Sequence, residues 1–396
     1  MDQLRALIVD DDKFMINLTT RMLNKIGITT VSSALDGQSG LDALAEAAPN
    51  VILLDLNMPG MDGLEFLRHL SEREVAASVI LVSGEDKRVL QTAYQLAQAH
   101  QLTVLGALQK PVKPDPLKAL LEKVNAEQER RKRGPIPLVP VEELEAGIHF
   151  GSVEAHFQPK VSVADKKLVG VETLVRWRGA DGKLVPPVAF ISVAENNGLI
   201  DALTEKVFLK AVSCASDWML HGLDIKVAVN FSVESLTRFD LVQFVIEASE
   251  DAGVDLSRIV FEVTESRIME DIAAPLEVLT RLRMKGIGLS IDDFGTGASS
   301  MQQLKRAPFT ELKIDRAFVA GANHDEEARA MLESSVDLAR RLGLSTVAEG
   351  VETQAEWDIV AELGVDVVQG YFIARPMPAD ELLDWARARG DLPPGE

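Results

Sequence analysis

The chain has 396 residues, 46% hydrophobic and 26% charged, with a formal net charge of −20. That length fits two or three ordinary domains, and the acidic balance excludes broad non-specific nucleic-acid binding, which needs a basic surface. One cysteine, Cys214, excludes an intrachain disulfide and lies in the apolar helix-like run 207–220 as a small packing residue.

The start leads straight into a short strand and three acids rather than a signal peptide, and no apolar run reaches the roughly 18–20 residues of a membrane span. A cytoplasmic protein without membrane insertion is expected. Residues 1–123 alternate apolar runs with helix-like runs. Arg5–Val9 ends at Asp10, Asp11 and Asp12; Val51–Leu54 ends at Asp55; Val79–Val82 ends at Ser83; Val104–Gln109 ends at Lys110. Continuous apolar strands separated by helices predict a parallel α/β sheet, whose ligands gather at the carboxyl ends of its strands. Three acids from two strand ends suit one hard cation such as Mg²⁺.

Asp10-Asp11, Asp55-Leu-Asn-Met-Pro-Gly-Met-Asp-Gly63, Ser83 and Lys110-Pro111 together resemble the receiver domain of two-component response regulators, with its flavodoxin-like doubly wound fold. The resemblance implies that Asp55 accepts a phosphoryl group from a cognate sensor histidine kinase. It implies that Asp10 and Asp11 hold Mg²⁺ with the Asn57 carbonyl, and that Ser83 and Lys110 contact the phosphoryl oxygens. Where the family carries a switch Tyr or Phe three residues before the lysine, this chain has Ala107.

Residues 124–141 form a linker, first charged and helical, then extended through Pro135, Pro137 and Pro140. From 142 to 396 strand and helix patterns alternate again. Eight strand candidates are 155–160, 168–174, 225–230, 259–265, 287–293, 311–315, 346–349 and 365–369. Eight strands with intervening helices predict a TIM-like (β/α)8 barrel with its chemistry at the carboxyl ends of the strands. Nearly every strand carries one polar residue near its end: Gln158, Glu172, Asn230, Glu262, Asp292, Lys313, Glu349 and Gln369. Polar groups in apolar strands are costly unless paired or liganded. Oxygen donors from several strands favour Mg²⁺ or Mn²⁺ over Zn²⁺. In the stretch Ile287-Gly-Leu-Ser-Ile-Asp-Asp-Phe-Gly-Thr-Gly297, adjacent carboxylates followed by a glycine-flanked turn read as a divalent-metal site closed by a mobile loop.

Gln158-Pro159, Glu172-Thr-Leu-Val-Arg-Trp177, Asn230-Phe-Ser232, Phe261-Glu-Val-Thr-Glu265, Asp292-Asp-Phe-Gly-Thr-Gly297, Lys313-Ile-Asp315, Ala348-Glu-Gly-Val-Glu352 and Gln369-Gly-Tyr371 resemble, in order, the motifs of the EAL domain, a phosphodiesterase for cyclic di-GMP. The resemblance implies two Mg²⁺ or Mn²⁺ ions: Glu172, Asn230, Glu262 and Asp292 on the first, Asp293 with Asp315 on the second. It places Lys313 and Glu349 around the attacking water, Gln369 on that water or the substrate, Gln158 and Arg176 on the substrate, and Glu265 as anchor of the 293–297 loop. The implied reaction is two-metal hydrolysis to linear pGpG, modulated by phosphorylation at Asp55, in a homodimer or higher oligomer. Two positions depart from the family: Thr173 stands within the signature tripeptide and Ala298 follows the loop where Tyr is usual. The alternative is a non-catalytic cyclic di-GMP sensor or protein-interaction module. His324-Asp325 is expected to be a helix cap rather than a metal motif.

Overall fold

The structure, a computed structural model, describes residues 4–73, 75–85, 87–132, 137–179, 182–232, 235–264, 273–295 and 304–392. The expected anchor Glu265, and Thr296, Gly297 and Ala298 of the loop, lie outside the described residues. Two compact units divide the chain, 1–136 and 137–396.

The first unit is a five-stranded parallel sheet of β1 (Arg5–Val9), β2 (Thr30–Ala34), β3 (Val51–Asp55), β4 (Ser78–Ser83) and β5 (Val104–Gln109), in the order β2-β1-β3-β4-β5. Successive residues of a strand face opposite ways. Accordingly Ile52 and Leu54 join one apolar cluster and Val51 and Leu53 the other, so helices cover both faces. β2 was not anticipated from sequence. It reads Thr-Val-Ser-Ser-Ala, sits at the sheet edge and is largely uncovered, so it lacks the apolar run that marks its neighbours. Asp12 caps a helix: its carboxylate accepts from Phe14 N at 2.8 Å, opening the helix Lys13–Ile26. The helix Pro114–Lys132 runs through the first half of the expected linker.

In the second unit eight strands close a ring: β6 (Val153–Ser162), β7 (Leu168–Arg178), β9 (Lys226–Phe231), β10 (Ile259–Thr264), β11 (Gly288–Phe294), β12 (Glu311–Ile314), β13 (Ser345–Ala348) and β14 (Val367–Gln369); a short β8 (Leu184–Val185) attaches outside to β7. The closed barrel agrees with the expected architecture, with one difference. β6 runs antiparallel to both β7 and β14, while the other ring pairings are parallel. The connection between Ser162 and Leu168 is too short for a parallel crossover, which needs a dozen or more residues. The core between barrel and helices includes Phe231 stacked on Phe261 at 3.8 Å, with Phe208 edge-on to both. Asp325 caps the helix Glu326–Leu342, accepting from Glu327 N at 3.0 Å, as expected for the His-Asp pair.

Candidate active site and phosphoacceptor site

In the first unit, β1 and β3 are neighbours and end at Asp10 and Asp55, where an open sheet presents its ligand crevice. Lys110, just beyond β5, reaches both, with Nζ 2.8 Å from Asp10 Oδ2 and 2.7 Å from Asp55 Oδ2. Asn57 N donates to Asp55 Oδ1 at 3.2 Å, and buried Ser83 accepts from Glu85 N at 3.1 Å. Carboxylate oxygens of Asp10, Asp11 and Asp55 lie within 4.8 Å of one another, close enough for one cation. Burial pushes the Asp55 carboxyl up, against the pull of Lys110. Ala107 is exposed on β5.

In the second unit the strand-end residues meet at one mouth because the parallel strands are nearly in register: Asn230 pairs with Glu262, and Gln158 on β6 stands opposite Glu172 on β7. At the centre is Lys313, 1% exposed. Its ammonium lies 2.6 Å from Glu349 Oε1, 2.9 Å from Asp292 Oδ1, 3.1 Å from Glu262 Oε2 and 3.8 Å from Glu172 Oε2. Asn230 Nδ2 donates to Glu172 Oε1 at 2.8 Å. Gln369 Nε2 donates to Glu172 Oε2 at 2.5 Å and to Gln158 Oε1 at 3.0 Å, and Gln158 Nε2 to Ala374 O at 3.3 Å. Gln369 is placed by Gly370, where any Cβ would strike the Val351 backbone.

Adjacent residues on a regular strand cannot both face the mouth. A register shift between Ile291 and Phe294 in the β11–β12 pairing removes that obstacle. Asp293 takes a left-handed backbone, φ 55°, and Asp292, Asp293 and Glu349 place carboxylate oxygens within 4.8 Å of one another. Non-glycine residues adopt that conformation at a cost, and bulges cluster where a side chain must be re-aimed. Asp315 lies outside this triplet. Its carboxylate accepts from Ala317 N at 2.7 Å, capping the turn Arg316–Val319, although its charge helps to raise Asp293.

The electrostatics are those of a crowded acidic site. Burial pushes the Glu349 carboxyl up to about 8, with Lys313 pulling against it. Burial and the Glu262 charge raise Glu172, and burial with Asp292 raises Asp293. Burial also disfavours charge on Glu262, but Lys160 and Lys313 outweigh it and hold that carboxyl down at about 2. A divalent cation suits this donor set: the oxygens converge, four carboxylates share one ammonium, and the buried Gln369 Oε1 has no hydrogen-bond partner among the described residues.

Beside the mouth lies a cavity of about 440 Å³ lined by Arg176, Asn230, Ser232, Thr264 and Asp293 with an apolar back of Ile191, Ile200 and Leu203. Its size falls within the range of about 300–1,000 Å³ usual for small-molecule sites. Arg176 is half-buried at its edge. Sequence reasoning missed Lys160, whose signal was a lysine two residues beyond Gln158 on the same inward face of β6.

Fold and site together define a phosphoacceptor domain followed by a barrel with an acidic, metal-ready mouth. The chain matches the response regulator receiver domain over residues 6–122 and the EAL domain over residues 141–376, and it belongs to the EAL family. It is 34% identical over 97% of its length to the cyclic di-GMP phosphodiesterase RocR of Pseudomonas aeruginosa, covering 99% of that protein. It is 42% identical to the bifunctional diguanylate cyclase/cyclic di-GMP phosphodiesterase MucR of the same organism, over 58% of this chain and 33% of that one. A solved MucR phosphodiesterase in complex with cyclic di-GMP superposes with a TM-score of 0.58 at 39% identity, over 61% of this chain and 98% of that one. Among the described residues no helix is long and apolar enough to cross a membrane.

Proposed function

We propose that this chain is a response regulator that hydrolyses cyclic di-GMP to linear pGpG, with the rate set by phosphorylation at Asp55. The observation that carries the reading is Lys313, a buried ammonium shared by carboxylates from β7, β10, β11 and the end of β13. Such a constellation is costly unless it serves a charged ligand, and a phosphodiester with divalent cations supplies one. Two Mg²⁺ or Mn²⁺ ions would neutralise the phosphodiester and make a water more acidic. Glu172, Asn230, Glu262 and Asp292 would hold one ion, and Asp293, with Asp315 nearby, the other.

The chain's own groups do the rest. Arg176 offers a planar fork to a phosphate at the cavity edge. Lys313 and Glu349 flank the attacking water. Lys313 offsets charge on the entering or leaving oxygen, and Glu349 accepts a proton from the water. Gln369 Oε1, buried and unpartnered among the described residues, accepts a hydrogen bond from that water or the substrate. Gln158 supports Gln369 and borders the substrate. In the receiver, Asp55 takes the phosphoryl group from a sensor histidine kinase, Ser83 and Lys110 contact the phosphoryl oxygens, and Asp10, Asp11 and the Asn57 carbonyl would hold an Mg²⁺ that offsets the phosphoryl charge. The active form is a homodimer or higher oligomer.

The test is turnover of cyclic di-GMP with Mg²⁺, with and without a phosphoryl mimic on the receiver, using Glu172→Ala as control. Tight binding without turnover by the intact chain would make it a sensor instead. An equal rate with and without the mimic would remove the switch.

A further inference from the structure

One buried charge has no part in the chemistry above. Lys160 lies on β6, which runs against its neighbours, so this strand proceeds away from the mouth as it passes from Gln158 to Lys160. Its side chain is 6% exposed, with Nζ 2.5 Å from Glu262 Oε1 and 3.6 Å from Glu311 Oε1. The other oxygen, Glu262 Oε2, faces Lys313 at 3.1 Å. The Glu262 carboxylate is therefore gripped from two sides by two different strands. Burying an ammonium is expensive, and an apolar residue of similar volume would serve packing at lower cost. Lys160 also lines a cavity of about 370 Å³, separate from the mouth, together with Ser162, Lys226, Glu311, Ser345 and Asp366. Gly170, Lys226, Glu311 and Ser345 stand at or near the starts of parallel strands, which puts this cavity at the opposite end of the barrel.

We propose that Lys160 is a positioning residue for the cation centre: it anchors Glu262 Oε1 from beneath, so that Oε2 is the oxygen offered to the cation. The inference rests on the metal-dependent reading of the mouth. A cation arriving there must compete with Lys313 for the same carboxylates. The contact to Lys160 lies on the far side of Glu262 and persists, so the carboxylate keeps one orientation with and without the cation. Supporting groups of this kind typically change metal affinity by about 10–100-fold.

The sign of the effect separates anchoring from charge alone. Removing a positive charge near a cation site strengthens cation binding by Coulomb's law, whereas losing an anchor weakens it. In the full chain carrying Asp11→Asn, which removes a receiver cation ligand, and without substrate, Mn²⁺ binding followed by electron paramagnetic resonance is expected to weaken about 10–100-fold on adding Lys160→Met. Lys160→Ala opens space continuous with the lower cavity. Ethylammonium is expected to enter there and restore Mn²⁺ affinity, while ethanol, of similar size and no charge, does not. Mn²⁺ bound by Lys160→Met as tightly as by the wild type, or more tightly, overturns the proposal. So does equal rescue of Lys160→Ala by ethanol, which would show a packing role. Should Lys160→Met not fold, the amine and alcohol comparison on Lys160→Ala decides alone. Failure of the parent reading looks different: the wild type itself then binds no Mn²⁺ at the mouth.

Discussion

Lys313→Met in the metal-free protein removes the ammonium placed within 2.6–3.8 Å of Glu349, Asp292, Glu262 and Glu172. Glu262 keeps Lys160, but the other three lose that partner at a site where the lysine is 1% exposed. Deleting one member of a buried ion pair costs about 3–5 kcal/mol. For a unit of this size each kcal/mol moves Tm by roughly 2–4 °C, so a fall of about 6–20 °C is expected. All 4 tryptophans, Trp177, Trp218, Trp357 and Trp385, lie in the second unit, so their fluorescence follows the barrel alone. In EDTA the variant should melt well below the wild type. Mg²⁺, entering among the same carboxylates, should recover much of the loss and raise the variant's Tm more than the wild type's. A variant Tm within about 2 °C of wild type in EDTA, or a loss that Mg²⁺ leaves untouched, would refute the reasoning that these acids are held together for a cation.

Glu349 makes the metal-free barrel sensitive to base. Its folded value of about 8 lies above the ordinary 4.5, so its contribution is full below 4.5 and is lost as pH rises toward 8; Glu262, at about 2, contributes above 4.5 and loses that only as pH falls. In EDTA the urea midpoint should therefore drop between about pH 5.5 and pH 8.5, and a midpoint that rises over that window contradicts the assignment. Thr173 buries its hydroxyl without a partner among the described residues. Thr173→Val, which keeps its shape, should stabilise the barrel by about 1 kcal/mol with turnover retained, and destabilisation of that size would reveal a partner for the hydroxyl. Asp293→Asn should lower turnover by at least the roughly 10–100-fold typical of groups around a metal and remove any difference made by the phosphoryl mimic; full, still-regulated activity would show that the second acid is dispensable.

Much of the site was legible because physics penalises its residues elsewhere. A lysine or glutamate inside an apolar strand, as at Lys313 or Glu262, needs a partner, and eight such positions at strand ends point to one mouth. The receiver was legible from Asp55 and Lys110 on the same grounds. β2 was not, because an edge strand of Thr and Ser carries no apolar run. The direction of β6 could have been inferred: too few residues separate Lys160 from Leu168 for a crossover. Lys160 itself was hidden because its two partners, Glu262 and Glu311, lie over 100 residues away in sequence, and its charge reads as ordinary until the strand is closed into a ring. The geometry uniting Asp292 and Asp293 was also hidden, since residue order gives no sign of a register shift.

That shift makes the mouth depend on a count. Strands slip by whole residues, and each single step exchanges the faces to which side chains point. Were β11 to pair with β12 without its extra residue, Asp293 would face away from Asp292 while every apolar side chain before Ile291 kept its place. The second carboxylate is thus either in the mouth or out of it, with no graded position between. A signal reaching this strand pair would act as a digital one, read in whole residues rather than in fractions of an ångström.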